Sequence, residues 1–344
     1  MYTRLLSPSD KKGAKLTAEE LDSISSSFDE SLHSRLWGLS PASASLPWLS
    51  SAVDVLTVAH SAVKSLIYEL KSDGGDCLLS WYLDNSVKVL DVCNCISSDI
   101  EWLCLRHLNR RITIELLRSE GNPSEEEIHQ ARDLLADSEG EGGSGYVKPA
   151  ADIEELIRDL ATGIGKPALL GEDTPVDGVV QRAVQAVGFV TAFVAGVIAS
   201  ALRSSSGAVF CVCVPEGFPW GDSIRAIEST VIMESSRGEE RDRKTRVLKE
   251  LDDVGAHTRQ VHEAINEVVA SGGSGENIGR LREAAVGLEQ ANEAMLEGLY
   301  RLRDGMNELF LTVVRIRKKM VDDFRASLWD GPLPKKPPKP GKNE

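Results

Sequence analysis

At 344 residues, 42% hydrophobic but only 5% aromatic, the chain has material for one large domain or two, with a real core. Its 53 acidic against 39 basic residues leave a net charge of -14, which argues against a general nucleic-acid binder, because phosphate neutralisation supplies most of that affinity. The six cysteines (Cys77, Cys93, Cys95, Cys104, Cys211, Cys213) are too dilute for a disulfide scaffold and fit reduced core positions of an intracellular protein.

In chain order, residues 1–16 read as a polar, mobile lead. The first 20 residues show no secretory signal, and Asp10, Glu19 and Glu20 make them a poor transit peptide. Thr17 and Glu20 fit a capping box, so one short helix is predicted to run to about Trp37 within an N-terminal unit of residues 1–46. Residues 40–47, rich in Ser and Pro, break it. Leu49, Val53, Leu56, His60, Val63, Ile67 and Leu70 then alternate four-three, the seam of a helix packed on a near-parallel neighbour. His60 on that seam reads as a hydrogen-bonded core histidine, since no Cys, Asp or second His shares its spacing. Asp73 to Asp76 make a turn. A long helix is predicted from Leu78 to Arg118, with Leu79, Leu83, Leu90, Cys93, Ile100 and Cys104 on one inward face and Trp102, Leu105, Leu108 and Ile112 broadening it. Cys93 and Cys95, two apart, point to nearly opposite sides of a helix and read as structural thiols rather than metal ligands.

Within that helix, residues 81–94 (WYLDNSVKVLDVCN), followed by Ser97, Leu103, His107 and Leu108, resemble the signature of the plant BYPASS family. Pro47-Trp48, His60, Lys64 to Ile67, Phe218-Pro219-Trp220 and Val247 to Leu251 match the same pattern in order, so the resemblance covers the chain from about Leu46 to Leu328. It implies a largely helical plant protein with no assigned enzymatic activity, associated with shoot and root development. Members are similar to a protein that restrains production of a root-derived mobile signal able to arrest shoot growth, and some relatives are linked to an exocyst subunit and vesicle trafficking. The acidic, Gly-rich insert at 138–145 and the Pro- and Lys-rich tail depart from the pattern.

Pro123 to Glu127 form a second capping box, opening a short helix to about Asp137 that closes a unit of residues 47–137. Residues 138–150 read as a flexible linker. Another short helix is predicted from Asp152 to Ala161, ended by Gly163 and Gly165; Pro167 follows Lys166 where a phosphate loop requires Ser or Thr. Residues 183–202 then carry no charge, and at the helical rise they cover about 30 Å, the thickness of a bilayer core. They are either the central helix of a bundle or a membrane span, and Gly188, Ala192, Gly196 and Ser200 form a row that lets another helix approach closely. Residues 208–214 read as an extended or helical core insertion, 215–221 as a turn, and 222–233 as a helix.

The C-terminal half of the 151–329 unit reads as an antiparallel helical hairpin. One helix runs from about Glu239 to Ala270, residues 271–275 turn the chain, and a second helix runs from about Asn277 to Leu328. The second, near 75 Å long, outruns its partner. The 47–70 and 78–118 helices are assigned to cover its far end. Asn292 on its seam can fix register, or it is a solvent-facing exception. The tail from 330 to 344 cannot pack; it reads as solubilising, while its Pro334 and Pro337 spacing suits a Pro-binding module and its lysines, with Arg315, Arg317, Lys318 and Lys319, suit an acidic lipid surface.

The expected architecture is therefore all-α, an elongated bundle of long amphipathic helices. No catalytic, cofactor-binding or metal-ligating set stands at useful spacing. The expected partner is a protein bound through helical faces, with membrane contact through 183–202 left open and no nucleic acid. The expected location is the cytoplasm or the endoplasmic reticulum and endomembrane system.

Overall fold

A computed structural model describes residues 16–39, 45–70, 75–118, 122–139, 152–166, 174–203, 214–236 and 248–329. Among these the regular structure is helical: α1 (Ala18–Trp37), α2 (Leu46–Leu70), α3 (Gly75–Leu117), α4 (Glu125–Glu139), α5 (Ile153–Gly165), α6 (Pro175–Arg203), α7 (Gly221–Ser236), α8 (Lys249–Ala270) and α9 (Gly275–Trp329).

Local chemistry explains most starts. Thr17 Oγ1 accepts the Glu20 amide while the Glu20 carboxylate accepts the Thr17 amide at 2.9 Å, closing the predicted box. Ser124 and Glu127 repeat it for α4. The start of α6 lies eight residues before the apolar run, because Thr174 caps it, Pro175 takes the first helical position and Asp177 completes a short box. Pro47, placed in a loop by the sequence reading, sits in the first turn of α2, where its missing amide costs nothing. Gly75 and Asp76 belong to α3 rather than to the predicted turn, and α5 continues through Gly163. The expected features at residues 1–15, 208–213, 239–247 and 330–344 fall outside the described residues, as do 140–150 of the expected linker.

The spine is α9, 55 residues and about 80 Å long. Against its first half α8 runs antiparallel, tied by Arg280 to Glu267 at 2.8 Å, and the reversal uses Gly272 and Gly273 at φ 63° and 84°. Against its second half α2 runs parallel, with Leu46 facing Gly298 and Val53 facing Gly305. A Cβ on Gly298 would stand 2.7 Å from Leu46 Cδ1, so this glycine is what lets the two helices touch. The N-termini of α8 and α2 meet: Glu250 Oε1 accepts the Leu46 amide at 3.0 Å, so the two helices lie end to end along the spine.

On the other side α3 runs antiparallel to α9 for its full length, from Ser86 against Arg317 to Arg118 against Glu289. Two four-helix arrangements result, joined end to end and sharing α3 and α9. In one, α2 and α6 complete the square. In the other, α8 and α4 do. We refer to them as the α6 half and the α4 half. Outside the first square, α5 packs on α3 and α6, and α1 packs on α6. Both α4 and α5 therefore lean on α3, on either side of residues 140–151.

Enclosure by α1, α2, α3 and α5 buries 89% of the most apolar window of α6. By length and composition this helix is able to cross a membrane; in the fold it is the core of the α6 half. Gly188 from the small-residue row lies under Ile164 of α5, whose side chain a Cβ would meet at 2.5 Å.

Candidate functional site

The polar residues of the 81–94 segment sort onto separate faces of α3. Trp81, Asn85 and Lys88, at i, i+4 and i+7, meet the C-terminal turn of α5. Trp81 Nε1–H donates to the Gly163 carbonyl at 3.1 Å, Lys88 Nζ donates to that of Asp159 at 3.0 Å, and Gln185 Nε2 of α6 donates to that of Ile164 at 3.3 Å. The Gly163 and Ile164 carbonyls, which the helix end leaves unsatisfied, are thus capped by side chains from two neighbours, while Lys88 shares the Asp159 carbonyl one turn earlier. A Cβ on Gly163 would lie 2.3 Å from Asn85 Oδ1, so this glycine marks a helix–helix contact and not a phosphate loop. On another face, Arg317 of α9 donates to the Leu83 carbonyl and to Ser86 Oγ, beside Tyr82, whose hydroxyl burial pushes well above its ordinary range.

Further along α3, Asp99 accepts from Arg203 Nε at 2.7 Å, and Arg203 Nη2 reaches Cys95 Sγ at 3.3 Å. Burial raises the Cys95 thiol, with Arg203 pulling the other way, and takes Cys93 up to about 12. Both are core thiols rather than nucleophiles. His60 Nε2 lies 3.1 Å from Thr191 Oγ1, which donates its own hydrogen to the Val187 carbonyl, so the imidazole is the donor between them. Burial lowers its pKa to about 4 and keeps it neutral near pH 7.

Sequence reasoning missed the fastening of α1. Asp29 accepts from Arg182 Nη2 at 2.8 Å; Arg182 also donates to the Gly217 carbonyl and lies 4.5 Å over the Phe218 ring, which stacks on Trp220 at 4.8 Å. The Phe218-Pro219-Trp220 turn is therefore a clasp for α1 and α6. Four residues along α1, His33 Nδ1 lies 3.0 Å from Ser223 Oγ, the spacing of a base and a nucleophile. Ser223 is fully buried, so its hydroxyl is closed to substrate and the contact joins α1 to α7. Asp29 and Arg182 are 153 positions apart, and nothing in the local pattern pairs them.

In the α4 half, His107, Arg110, Thr113 and Asn292 are all buried. Asn292 Nδ2 donates to the His107 carbonyl at 3.4 Å, so Asn292 lies inside the seam rather than facing solvent. Burial lowers the His107 pKa, partly offset by Asn292. His107 Nδ1 and Asn292 Oδ1 are buried without a hydrogen-bond partner. On the outside of the same half, Leu105, Leu108 and Ile112 of α3 are 38%, 50% and 42% exposed. Leu108 and Ile112 line a groove of about 450 Å³ with Arg111, Glu115, Leu116 and Glu127, and Leu105 lies one turn before it on α3. Among the described residues no group of three His, Cys, Asp or Glu side chains could hold a metal ion.

Fold and polar contacts together define an elongated helical scaffold whose buried polar groups join helices to one another. The chain belongs to the ROH1-like family: a family model described as Protein ROH1-like matches residues 11–139 and 173–324. This is the BYPASS-like grouping that residues 81–94 resemble, and the unmatched stretch contains most of the Gly-rich insert and all of α5. The chain is 30% identical over 261 residues to UPF0496 protein 4 of Oryza sativa subsp. japonica, covering 73% of this chain and 56% of that protein. The subsp. indica protein of the same name is 29% identical over the same shares. Protein BPS1, chloroplastic, of Arabidopsis thaliana is 27% identical over 247 residues, 70% of this chain and 69% of that one. The chain spans a little over half the length of the rice relatives. No solved structure matches it.

Proposed function

We propose that this protein is a non-enzymatic helical adaptor in plant root and shoot development, restraining a root-derived mobile signal that arrests shoot growth. Its family membership and the BYPASS resemblance support the developmental role. One observation carries the adaptor part: the polar groups that sequence chemistry would nominate, His60, Cys95, Asp99 and Ser223, are buried between helices, while the open groove on α3 is lined by apolar and charged side chains.

The test is complementation of a plant line lacking the protein, using variants first shown to fold by circular dichroism. Ser223→Ala and His33→Gln remove the one Ser–His approach described above and are expected to restore growth fully. Loss of complementation by either, with the fold intact, would sink the adaptor reading and favour an enzyme.

A second reading, a membrane-anchored endomembrane or vesicle-trafficking factor binding an exocyst subunit, draws on the length and apolarity of α6. Val190 and Val194 are 0% and 1% exposed, so Lys at both positions breaks the bundle if α6 is core. We expect the wild type to leave a carbonate-washed membrane pellet and the Val190→Lys, Val194→Lys protein to aggregate. Retention of the wild type in that pellet, together with a soluble, folded double variant, would instead establish a span.

A further inference from the structure

The solvent-facing line of α3 changes character along its length. Through the α6 half it carries Asp84, Val87, Asp91, Asn94 and Glu101, all exposed, so that a lone apolar side chain stands among polar ones. Over the next two turns the same line carries Leu105, Leu108 and Ile112, at i, i+3 and i+7, with the half-buried Leu116 one further turn on. From Leu105 to Leu116 the row is about 16 Å long, three turns of helix. Adjacent apolar side chains at helical spacing, beside a groove, form a surface of the kind that takes the apolar face of another helix.

The charges around the row decide what that helix is. Glu115 closes one end on α3, and the first turn of α4, which reaches the groove through Glu127, is Glu125, Glu126, Glu127; Arg111 is the cation among the lining residues. A second copy of this chain is a poor occupant. Two-fold pairing about Leu108 sets Glu101 against Glu115 of the other copy, since each lies seven positions from the centre, and like charges placed so repel. An anionic bilayer meets the same acidic rim and is repelled too.

We propose that this groove docks a basic amphipathic helix of a partner protein, its apolar residues at i, i+3 and i+7 seated on Leu105, Leu108 and Ile112 and its Lys or Arg flanks against Glu115 and the first turn of α4. The proposal rests on the adaptor reading and adds the chemistry of the partner.

The experiment uses the full chain and two fluorescein-labelled 18-residue peptides that share one leucine row at those spacings, one flanked by Lys and the other by Glu. Fluorescence anisotropy is expected to show saturable binding of the Lys peptide that weakens with salt, and none of the Glu peptide. Leu108→Gln with Ile112→Gln, at half-exposed positions that leave the fold intact, is expected to weaken binding about tenfold or more. Glu115→Gln is expected to weaken it two- to threefold, roughly the worth of one exposed charge. Absence of binding, equal binding of the Glu peptide, or indifference to the double substitution overturns the proposal. So does a concentration-dependent dimer in sedimentation velocity that the double substitution abolishes, because the face is then self-complementary. Failure here, with the Ser223 and His33 variants still complementing, removes the docking site alone; failure of those variants removes the adaptor reading whatever the peptides do.

Discussion

The α6 half and the α4 half share two helices yet spend them differently. Where α2 and α6 complete the square, buried polar side chains are mostly joined across helices, His60 with Thr191 at 3.1 Å and Asp99 with Arg203 at 2.7 Å, with Asn85 Oδ1 beside α5 left without a partner. Where α4 and α8 complete it, the same α3 and α9 present His107, Arg110 and Asn292 inward, and His107 Nδ1 and Asn292 Oδ1 stay without a partner. The first half gains stability by burial. The second accepts imperfect polar contacts that favour one register of α3 against α9, a role best attested for single buried amides in helical seams.

The largest break in that comparison should come from Phe193→Ala. This ring is 1% exposed at the centre of the α6 half, and its loss is expected to cost about 3 to 5 kcal/mol in chemical denaturation. Leu288→Ala, fully buried between α8 and α9, should cost about 2 to 5 kcal/mol. Because α3 and α9 run through both halves, both variants should still unfold in one transition; two separate transitions by far-UV circular dichroism would show that the halves are independent.

Next in size is Arg203→Ala, which strands Asp99, a side chain 6% exposed, and should cost about 3 kcal/mol. Adding Asp99→Leu should restore most of that loss, which a double-mutant cycle measures directly. If the single variant is neutral, the pair contributes nothing to holding α6 on α3.

A pH series sharpens the contrast further. Because burial takes His60 from 6.5 to about 4, the unfolded chain binds a proton in that window that the folded chain refuses. Stability is then full above pH 6.5 and falls as pH drops towards 4. His60→Gln should remove about 2 kcal/mol of that fall between pH 7 and 4.5 in urea unfolding. Parallel pH profiles for wild type and variant would mean that water reaches the imidazole.

The smallest effect belongs to the α4 half. Asn292→Leu removes a buried amide whose oxygen is unpaired, so stability should stay level or rise by up to about 1 kcal/mol. A loss above that size would show that the amide stabilises the seam it pins.

How far residues announce this fold depends on the distance over which each signal acts. Caps and periodicity act within a few residues, so Thr17 with Glu20, Ser124 with Glu127 and the seams of α2 and α9 could be read directly. So could the need for α2 and α3 to cover the far end of α9. Context overrode two local signals: Pro47 and Gly163 look like breaks but sit inside helices, the first because an N-terminal turn needs no amide, the second because Trp81 and Lys88 cap the carbonyls around it. The clasp of Asp29, Arg182 and Phe218, and the Glu250 cap on α2, join residues far apart in the chain and leave no local trace. Residues 105–112 read as broadening an inward face; exposure appears only once α4 takes its place on the neighbouring side of α3. The single apolar helix α6 stayed ambiguous in sequence because a bilayer and a ring of four helices ask the same composition of it.

The spine follows the other described helices in the chain, and synthesis feels that order. Since α9 ends at Trp329 and supports α2, α3 and α8 alike, the first two helices leave the ribosome long before the surface they bind exists. The Leu46–Glu250 junction joins positions 204 apart and closes a long loop, so it forms only after α8 has been made. Until then α2, α3 and the apolar α6 expose their seams together, the kind of surface that recruits chaperones during translation. Chain termination within α9 would therefore leave the whole bundle without its spine rather than trimming one end of it.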